Sequence, residues 1–388
     1  MLSAENCRAT LQHIVAASLA ASRNVSANEL LHDIGSSDDL RDGSVALDSL
    51  DKLNTARQVA EFFELRKTGA EEFLLRRSKL SDWAELILKG YREGVLDSVW
   101  FRSGGTTGDP KLVSHPVSCL LKEAAEIAAI VGGIRRIVAL VPLHHIYGFI
   151  WGPLLSDAMG VPLVHGPRAV QEAHQGLGEG DLLLGVPEWW HHLSQLQEAP
   201  YRQAVGVCST APCPGETIQA LLGRGLATMI EVYGSSETAG IGWRRDPSAP
   251  FRLFPHWKRS GADHLESSEG VRCSLPDHVD WMDEETLLPL KRRDHAIQIG
   301  GVNVWPERVS QFIESHPQVQ ACAVRVAETG EGKRLTAFIV LAGESGGADP
   351  ELDLRERIRN QLPAPERPVQ LTFGEKLPRN ALGKIDDW

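Results

Sequence analysis

Apolar positions recur at helical spacing through the first ninety residues. Leu11, Ile14, Val15 and Leu19 fall on one face of a first helix. Ser26-Ala27-Asn28-Glu29 has the Ser-x-x-Glu form of a capping box and marks a second helix start. Leu50, Leu53, Ala56, Ala60 and Phe63 line one side of a helix that begins near Ser49, and Trp83, Leu86 and Ile87 belong to a last short one. With no convincing strand among them, residues 1–95 are predicted to form a small helical domain. From about residue 97 the pattern changes. The runs 137–141, 181–186, 204–208 and 229–232 are short and apolar, and amphipathic helices such as 215–222 lie between several of them. That alternation predicts an α/β core with a mostly parallel sheet over residues 96–291. Beyond it, 319–326 and 335–341 read as two strands joined by Thr329-Gly330-Glu331-Gly332. Asp349-Pro350 then caps a helix carrying Leu354, Ile358 and Leu362, and Pro363 ends it. Residues 292–388 are thus predicted to be a small α+β domain.

Residues 137–156 hold no formally charged side chain, almost a membrane span in length. Pro142, Gly148, Gly152 and Pro153 interrupt them, so a buried strand followed by a turn is the better reading. The start of the chain has no basic segment leading into an apolar one, and no signal peptide is expected. The six cysteines show neither C-x-x-C nor zinc spacing and read as reduced thiols of a cytoplasmic protein. Lys plus Arg number 40 against 51 Asp plus Glu, a formal charge of −11. That argues against holding a nucleic-acid backbone or an anionic membrane, each of which needs a basic face. A small anionic ligand needs only a local site.

Such a site is offered by Ser103-Gly104-Gly105-Thr106-Thr107-Gly108-Asp109-Pro110-Lys111. Glycines let the backbone approach an anion, hydroxyl and N–H groups donate to phosphate oxygens, and Lys111 adds a point charge. The spacing is not that of a Walker loop, because the lysine stands three residues beyond Gly108. The string resembles the phosphate loop of the adenylate-forming superfamily, which includes acyl-CoA synthetases, nonribosomal-peptide adenylation domains and luciferases. Five further segments resemble that family's motifs in its order: Pro142-Leu143-His144-His145-Ile146-Tyr147-Gly148, Cys208-Ser209-Thr210-Ala211-Pro212, Tyr233-Gly234-Ser235-Ser236-Glu237, Arg292-Arg293-Asp294 with Gly301 and Pro306, and Leu377-Pro378-Arg379-Asn380-Ala381-Leu382-Gly383-Lys384-Ile385. They cover residues 101–388.

The resemblance implies that a carboxylate oxygen attacks the α-phosphorus of ATP, forming a mixed anhydride and releasing pyrophosphate. The barrier is crowded negative charge, so positioning and charge neutralisation should carry catalysis. Lys384 is implied as the catalytic bridge between carboxylate and α-phosphate, and Glu237 as the holder of Mg2+, hard oxygen on a hard cation. Thr210, Ala211, Tyr233, Gly234, Ser235 and Ser236 would surround adenine, Asp277 and Arg292 the ribose, and His145 with Gly234 the acid. Asp294 would be the hinge of a mobile lid that first presents Lys384 and then the Gly300-Gly301 segment. The ordinary alternatives are a solvated lysine, a helix-start glutamate, a core tyrosine and hydrogen-bonded core histidines. Departures are present. Leu275-Pro276-Asp277 replaces the usual Thr-Gly-Asp, which puts Asp277 in question, and Gly104 and Ser236 replace usual hydroxyl and threonine positions. Only about 100 residues precede the loop where the family usually has about 150, so its first subdomain is reduced or absent.

The helical N-terminus resembles an acyl carrier domain instead. Ala46-Leu47-Asp48-Ser49-Leu50 is similar to the carrier segment whose serine bears 4′-phosphopantetheine, though Ala46 stands where glycine is usual. Asp48 or Ser49 as a plain helix cap is the alternative. Through Thr210-Ala211-Pro212-Cys213-Pro214, Gly234-Ser235-Ser236-Glu237-Thr238-Ala239-Gly240, Gly300-Gly301-Val302-Asn303-Val304 and residues 377–388, nearly the whole chain resembles compact ligases of aryl-polyene and xanthomonadin-type pigment pathways. That implies activation of a small aromatic carboxylic acid, a hydroxybenzoate or cinnamate, and transfer to an acyl carrier protein thiol. The alternatives are a ligase using free CoA and a carrier module fused to an inactive ligase.

Overall fold

The computed structural model describes residues 2–23, 25–36, 38–41, 45–103, 111–196, 200–293, 296–300, 302–329, 332–342, 349–378 and 388. Two compact units emerge. One comprises Met1–Ser103, Leu112–Leu275 and Val279–Pro289; the other comprises Gly104–Lys111, Pro276–His278 and Leu290–Trp388.

The first unit opens with helices α1 (Ala4–Arg23), α2 (Ala27–Ser36), α3 (Ser49–Phe62), α4 (Glu71–Arg76) and α5 (Leu80–Arg92). Leu11, Ile14, Val15 and Leu19 are buried along α1, as their spacing predicts. Helix α3 keeps its expected stripe at Ala56, Ala60 and Phe63, which are buried, but its first turn faces differently. Leu50 and Leu53 are 65% and 52% exposed. The inward face carries Asp51, Thr55, Ala56, Val59 and Phe62. Polar partners on α1 explain the rotation: Asp51 pairs with Arg23 at 2.6 Å, and the Thr55 hydroxyl donates to Ser18 Oγ at 3.1 Å. A satisfied polar pair can face inward where an apolar pattern alone would not place it.

These helices do not close on a core of their own. One continuous cluster runs from Leu11, Phe63 and Trp83 through Phe101, Phe149 and Trp151 to Ile230 and Phe254. Polar ties follow the same route. The Asn6 amide donates to Pro153 O at 3.1 Å, Ser156 Oγ at 3.1 Å and Asp157 Oδ1 at 2.6 Å. The expected separate domain over 1–95 is therefore replaced by a helical layer built into the larger unit, because its apolar faces are covered by residues 99–254.

Next come β1 (Ser98–Ser103), β2 (Lys111–Pro116), α6 (Val117–Val131), β3 (Arg136–Ala139), α7 (Ile146–Phe149), a π-helical turn (Ile150–Leu154) and α8 (Leu155–Met159). The uncharged stretch is thus a strand, a turn and a broken helix. Pro153 lacks the N–H a regular helix needs, which accounts for the wide turn. Among the described residues no helix is long and apolar enough to cross a membrane. The chain continues through β4 (Leu163–His165), α9 (Gly166–Gln175), β5 (Asp181–Gly185), α10 (Pro187–Gln195), β6 (Val205–Cys208), α11 (Gly215–Gly223), β7 (Thr228–Ser235), β8 (Ala239–Arg244) and β9 (Phe251–Leu253). A side sheet of β10 (Trp257–Arg259), β11 (His264–Ser267) and β12 (Arg272–Ser274) follows, then β13 (Asp277–Trp281) and β14 (Thr286–Arg292).

The main sheet has nine strands in the order β13-β14-β9-β8-β7-β6-β5-β3-β4. From β4 to β7 all neighbours are parallel. From β7 onward the pairs β7–β8, β8–β9 and β9–β14 are antiparallel. The expected mostly parallel sheet is therefore a mixed one: β8 and β9 follow β7 through short connections that permit only antiparallel return, and β14 joins β9 from farther along the chain. Along each central strand successive side chains serve opposite cores. Ile137, Leu182, Leu184, Val207 and Ile230 join the cluster shared with the N-terminal helices, while Val138, Leu183, Cys208 and Met229 join Trp190, Tyr201 and Leu221 beneath α9–α11. Burial on both faces is what the continuous apolar runs encode.

The second unit contains β15 (Ile297–Ile299), β16 (Val302–Val304), α12 (Pro306–Glu314), β17 (Val319–Thr329), β18 (Gly332–Leu341), α13 (Pro350–Gln361) and β19 (Gln370–Phe373). β17 and β18 form the expected hairpin, extended by β19 in parallel. Asp349 caps α13, accepting the Glu351 N–H at 3.0 Å, and Leu354, Ile358 and Leu362 are buried.

Candidate functional site

Strands β3, β5, β6 and β7 are parallel, so the loops after them collect at one edge of the sheet, where ligands of such sheets bind. The loop after β6 is held by the Ser209 hydroxyl, which donates to Val232 O of β7 at 3.0 Å. Thr210 follows with φ 79°, a left-handed value rare for a β-branched residue, and its Oγ1 is buried without a partner. Such strain costs about 1–3 kcal/mol and persists where the surroundings impose it. Ala211 is half-buried beside it. Cys208 and Cys213 are free and buried, and burial pushes the Cys208 thiol far up, as packing residues require.

The hairpin β7–β8 carries Tyr233 to Glu237. Tyr233 is half-buried, with its ring 5.6 Å from that of Phe251. Gly234 pairs with Gly240 across the hairpin, and a Cβ on Gly234 would stand 2.2 Å from the Ala239 carbonyl oxygen. Ser235 Oγ accepts the N–H groups of Glu237 and Thr238, each at 3.2 Å, and lies 3.0 Å from Thr238 Oγ1. From β2, the His115 Nε2–H donates to Ser236 O at 2.7 Å. Burial lowers the His115 pKa, favouring the neutral ring that makes this bond. The result is a turn fixed from within and from behind, with Glu237 exposed at its tip. Among the described residues no group of three His, Cys, Asp or Glu side chains is arranged to hold a metal. One exposed carboxylate suits magnesium bound jointly by protein and nucleotide phosphates, the usual manner for that ion.

His144 and His145 follow β3. His145 is exposed, and desolvation by the surrounding protein lowers its pKa. His144 packs against it with ring centroids 4.6 Å apart, and its Nδ1 is buried without a partner. Tyr147 donates through its hydroxyl to Val207 O at 2.9 Å and Gly185 O at 3.3 Å, closing the ends of β5 and β6. Trp151 and Trp190 are fully buried core residues. Behind this segment the rings of His13 and His165 meet with Nε2 and Nδ1 3.2 Å apart.

In the second unit Lys111 is exposed, Asp277 buried and Arg292 half-buried. The Arg293 N–H donates to Pro276 O at 3.1 Å, and its Nε to Asp277 O at 3.4 Å, so this short segment is braced through its backbone. Ser103 ends β1. Gly104, Gly105, Thr106, Thr107, Gly108, Asp294 and Lys384 lie outside the described residues. Ser49 is the exposed first residue of α3, and Asp48 caps that helix by accepting the Asp51 N–H at 2.7 Å. The ordinary capping role of this pair is thus present.

The first unit therefore brings together Thr210, Ala211, Gly234, Ser235, Ser236 and Glu237 on neighbouring strand ends. Sequence reading passed over His115, which stands four residues beyond Lys111 and whose partner is distant in the chain. It also passed over the buried residues that brace Gly240.

Two protein-family models match the chain: the AMP-binding enzyme model over residues 99–265 and the AMP-binding enzyme C-terminal domain model over residues 309–384. A 4-coumarate–CoA ligase of Halorhodospira halophila is 38% identical over 349 residues, covering 88% of this chain and 88% of that protein. A 4-coumarate–CoA ligase of Cereibacter sphaeroides is 35% identical over 357 residues, covering 89% of this chain and 84% of that protein. The first of these alignments leaves at most half of residues 1–95 outside it, so part of the helical layer is shared. Among solved structures, amide bond synthetase McbA from Marinactinospora thermotolerans superposes with a TM-score of 0.59 at 23% identity, covering 74% of this chain and 67% of that one. It shows the same fold.

Proposed function

From the premise that this chain belongs to the AMP-binding enzyme family and is an AMP-forming acid–thiol ligase, we propose that it activates a cinnamate-type aromatic acid with ATP and passes the acyl group to coenzyme A. In the first half-reaction a carboxylate oxygen attacks the α-phosphorus, the bond to the bridging oxygen breaks, and pyrophosphate leaves. In the second the CoA sulfur attacks the acyl carbon, AMP leaves, and the thiol proton passes to solvent. The single observation carrying this reading is the braced turn with Glu237 at its tip, set beside the strained Thr210 loop. Glu237 would hold magnesium, which would supply neutralisation of the charge on the triphosphate. Tyr233, Gly234, Ser235 and Ser236 with Thr210 and Ala211 receive adenine, Asp277 and Arg292 the ribose, and the 103–108 loop with Lys111 the phosphates. His145 and Gly234 bound the acid, and Lys384 bridges carboxylate and α-phosphate before the unit turns about Asp294.

CoA as acceptor was the alternative at the level of sequence. It is supported by relatives named as CoA ligases, whereas a carrier-thiol acceptor and a pigment pathway find no such support. The helical layer also shares the enzyme's core, which leaves Ser49 without the separate carrier domain that prosthetic attachment presupposes. The test is magnesium-dependent pyrophosphate release across aromatic and aliphatic acids, followed by thioester formation with CoA or with a loaded carrier protein. Release with 4-coumarate and thioester on CoA is expected. Release confined to fatty acids, or transfer to the carrier alone, would reject the proposal.

A further inference from the structure

Behind the Glu237 turn lies a chain of acidic and imidazole groups, buried at Glu123 and half-buried at Glu126 and His256, that the scheme above does not use. Glu123 and Glu126 stand one turn apart on α6, and His256 follows β9. Glu123 is 3% exposed. Its Oε1 accepts the Gly240 N–H at 3.0 Å, and a Cβ on Gly240 would stand 2.4 Å from that oxygen. Its Oε2 lies 3.9 Å from His256 Nε2. Through Nδ1–H at 2.6 Å and its backbone N–H at 3.3 Å, His256 donates to Glu126 Oε2. The ring stacks on Phe254 at 5.9 Å, and the neighbouring Trp257 donates its indole N–H to Gly240 O at 2.7 Å.

Both polar groups of Gly240 are therefore held by side chains from outside the hairpin, three residues beyond Glu237. Ala239, between them, has φ 59° and needs such a restraint. Burying a carboxyl group is a costly way to satisfy one amide. Burial pushes Glu123 up to about 8, the Gly240 amide pulls it back, and the Glu126 charge adds to the rise. The expense is explained if the placement of the turn matters more than local stability.

We propose that Glu123, backed by His256 and Glu126, is a positioning residue for metal–nucleotide binding: it fixes Gly240 and so sets where Glu237 is presented. This rests on the reading that Glu237 holds magnesium. The test is calorimetric titration of the full chain with a non-hydrolysable ATP analogue, with and without Mg2+, below each variant's melting transition. The quantity read is the gain in affinity that magnesium brings. Glu123→Ala should lose roughly tenfold of that gain while metal-free affinity holds, the scale seen when groups behind a metal ligand are removed. Glu123→Gln keeps an acceptor for Gly240 and should restore the gain to within about twofold. Where Glu123→Ala does not fold, Trp257→Phe removes the other bond to Gly240 and should cost the gain several-fold. An unchanged gain in the folded variants, with Glu237→Gln losing it, overturns the inference. A full gain in Glu237→Gln overturns the reading of Glu237, and the inference falls with it.

Discussion

At the scale of single residues, the proposed reaction can be tested by removing one charge at a time. Lys384 has the type and motif position to bridge carboxylate and α-phosphate. Lys384→Ala should reduce adenylate formation by about 10³-fold, the order lost with one charge-stabilising group. It should spare thioester formation from preformed acyl-adenylate, and single-turnover assays of the two half-reactions check this. Equal loss in both would reject the two-step use of the lid. The paired rings of His13 and His165 give a pH dependence. Burial holds His165 at about 4 and lowers His13 as well. In the unfolded chain both protonate below about 6.5. The unfolded state then binds more protons, so their contribution is present above 6.5 and lost as pH falls toward 4. Melting temperature should drop across that window, and less steeply in His165→Gln. Glu123 acts in the opposite sense, its contribution being lost as pH rises from its unfolded value through about 8.

At the scale of elements, the β7–β8 hairpin joins fold and chemistry. Its glycines are there for approach, not flexibility. In Gly234→Ala the new Cβ would meet a backbone oxygen at 2.2 Å, so the turn must open. A cost of about 1–3 kcal/mol in stability is expected, with nucleotide affinity falling tenfold or more. Denaturant unfolding and equilibrium titration measure the two. Much of this level was legible in the sequence. Residues 181–186 and 204–208 announced central strands because burial on both faces leaves an unbroken apolar run. The antiparallel strands β8, β9 and β14 went unread, since β9 is three residues long and pairs with each neighbour at only two positions, which leaves no long period. The stripe of α3 held at Ala56, Ala60 and Phe63 but failed at Leu50 and Leu53, because Asp51 and Thr55, polar by composition, are held inward by Arg23 and Ser18. Motif residues could be recognised from their order alone, whereas His115, Glu123 and His256 act through partners more than a hundred residues away.

At the scale of the whole molecule, the helical layer and the sheet share one interior. Removing residues 1–95 would uncover Phe101 and Phe149, whose rings meet that of Phe62 at 5.3 Å and 5.4 Å. A fragment beginning at residue 96 should be insoluble or show no cooperative transition, although it would retain every motif of the family resemblance. Circular dichroism melting against the intact chain checks this. A soluble fragment that releases pyrophosphate would mean that the layer is dispensable. Asn6→Ala is the milder form of the same experiment. It deletes three bonds from α1 to the broken helix after His145, and should cost about 1–3 kcal/mol.

A shared interior also orders events in time. As the chain leaves the ribosome, α1 to α5 appear first, and their apolar faces have nothing to meet until β1, the α7 segment and finally Phe254 have been made. At translation speeds of about 5–20 residues per second, that interval is on the order of ten seconds or more. During it Leu11, Phe63 and Trp83 are open to any passing chain. The enzyme gains one continuous interior for helices and sheet, and in exchange its synthesis passes through a sticky adolescence in which a chaperone's attention would decide how much of it survives.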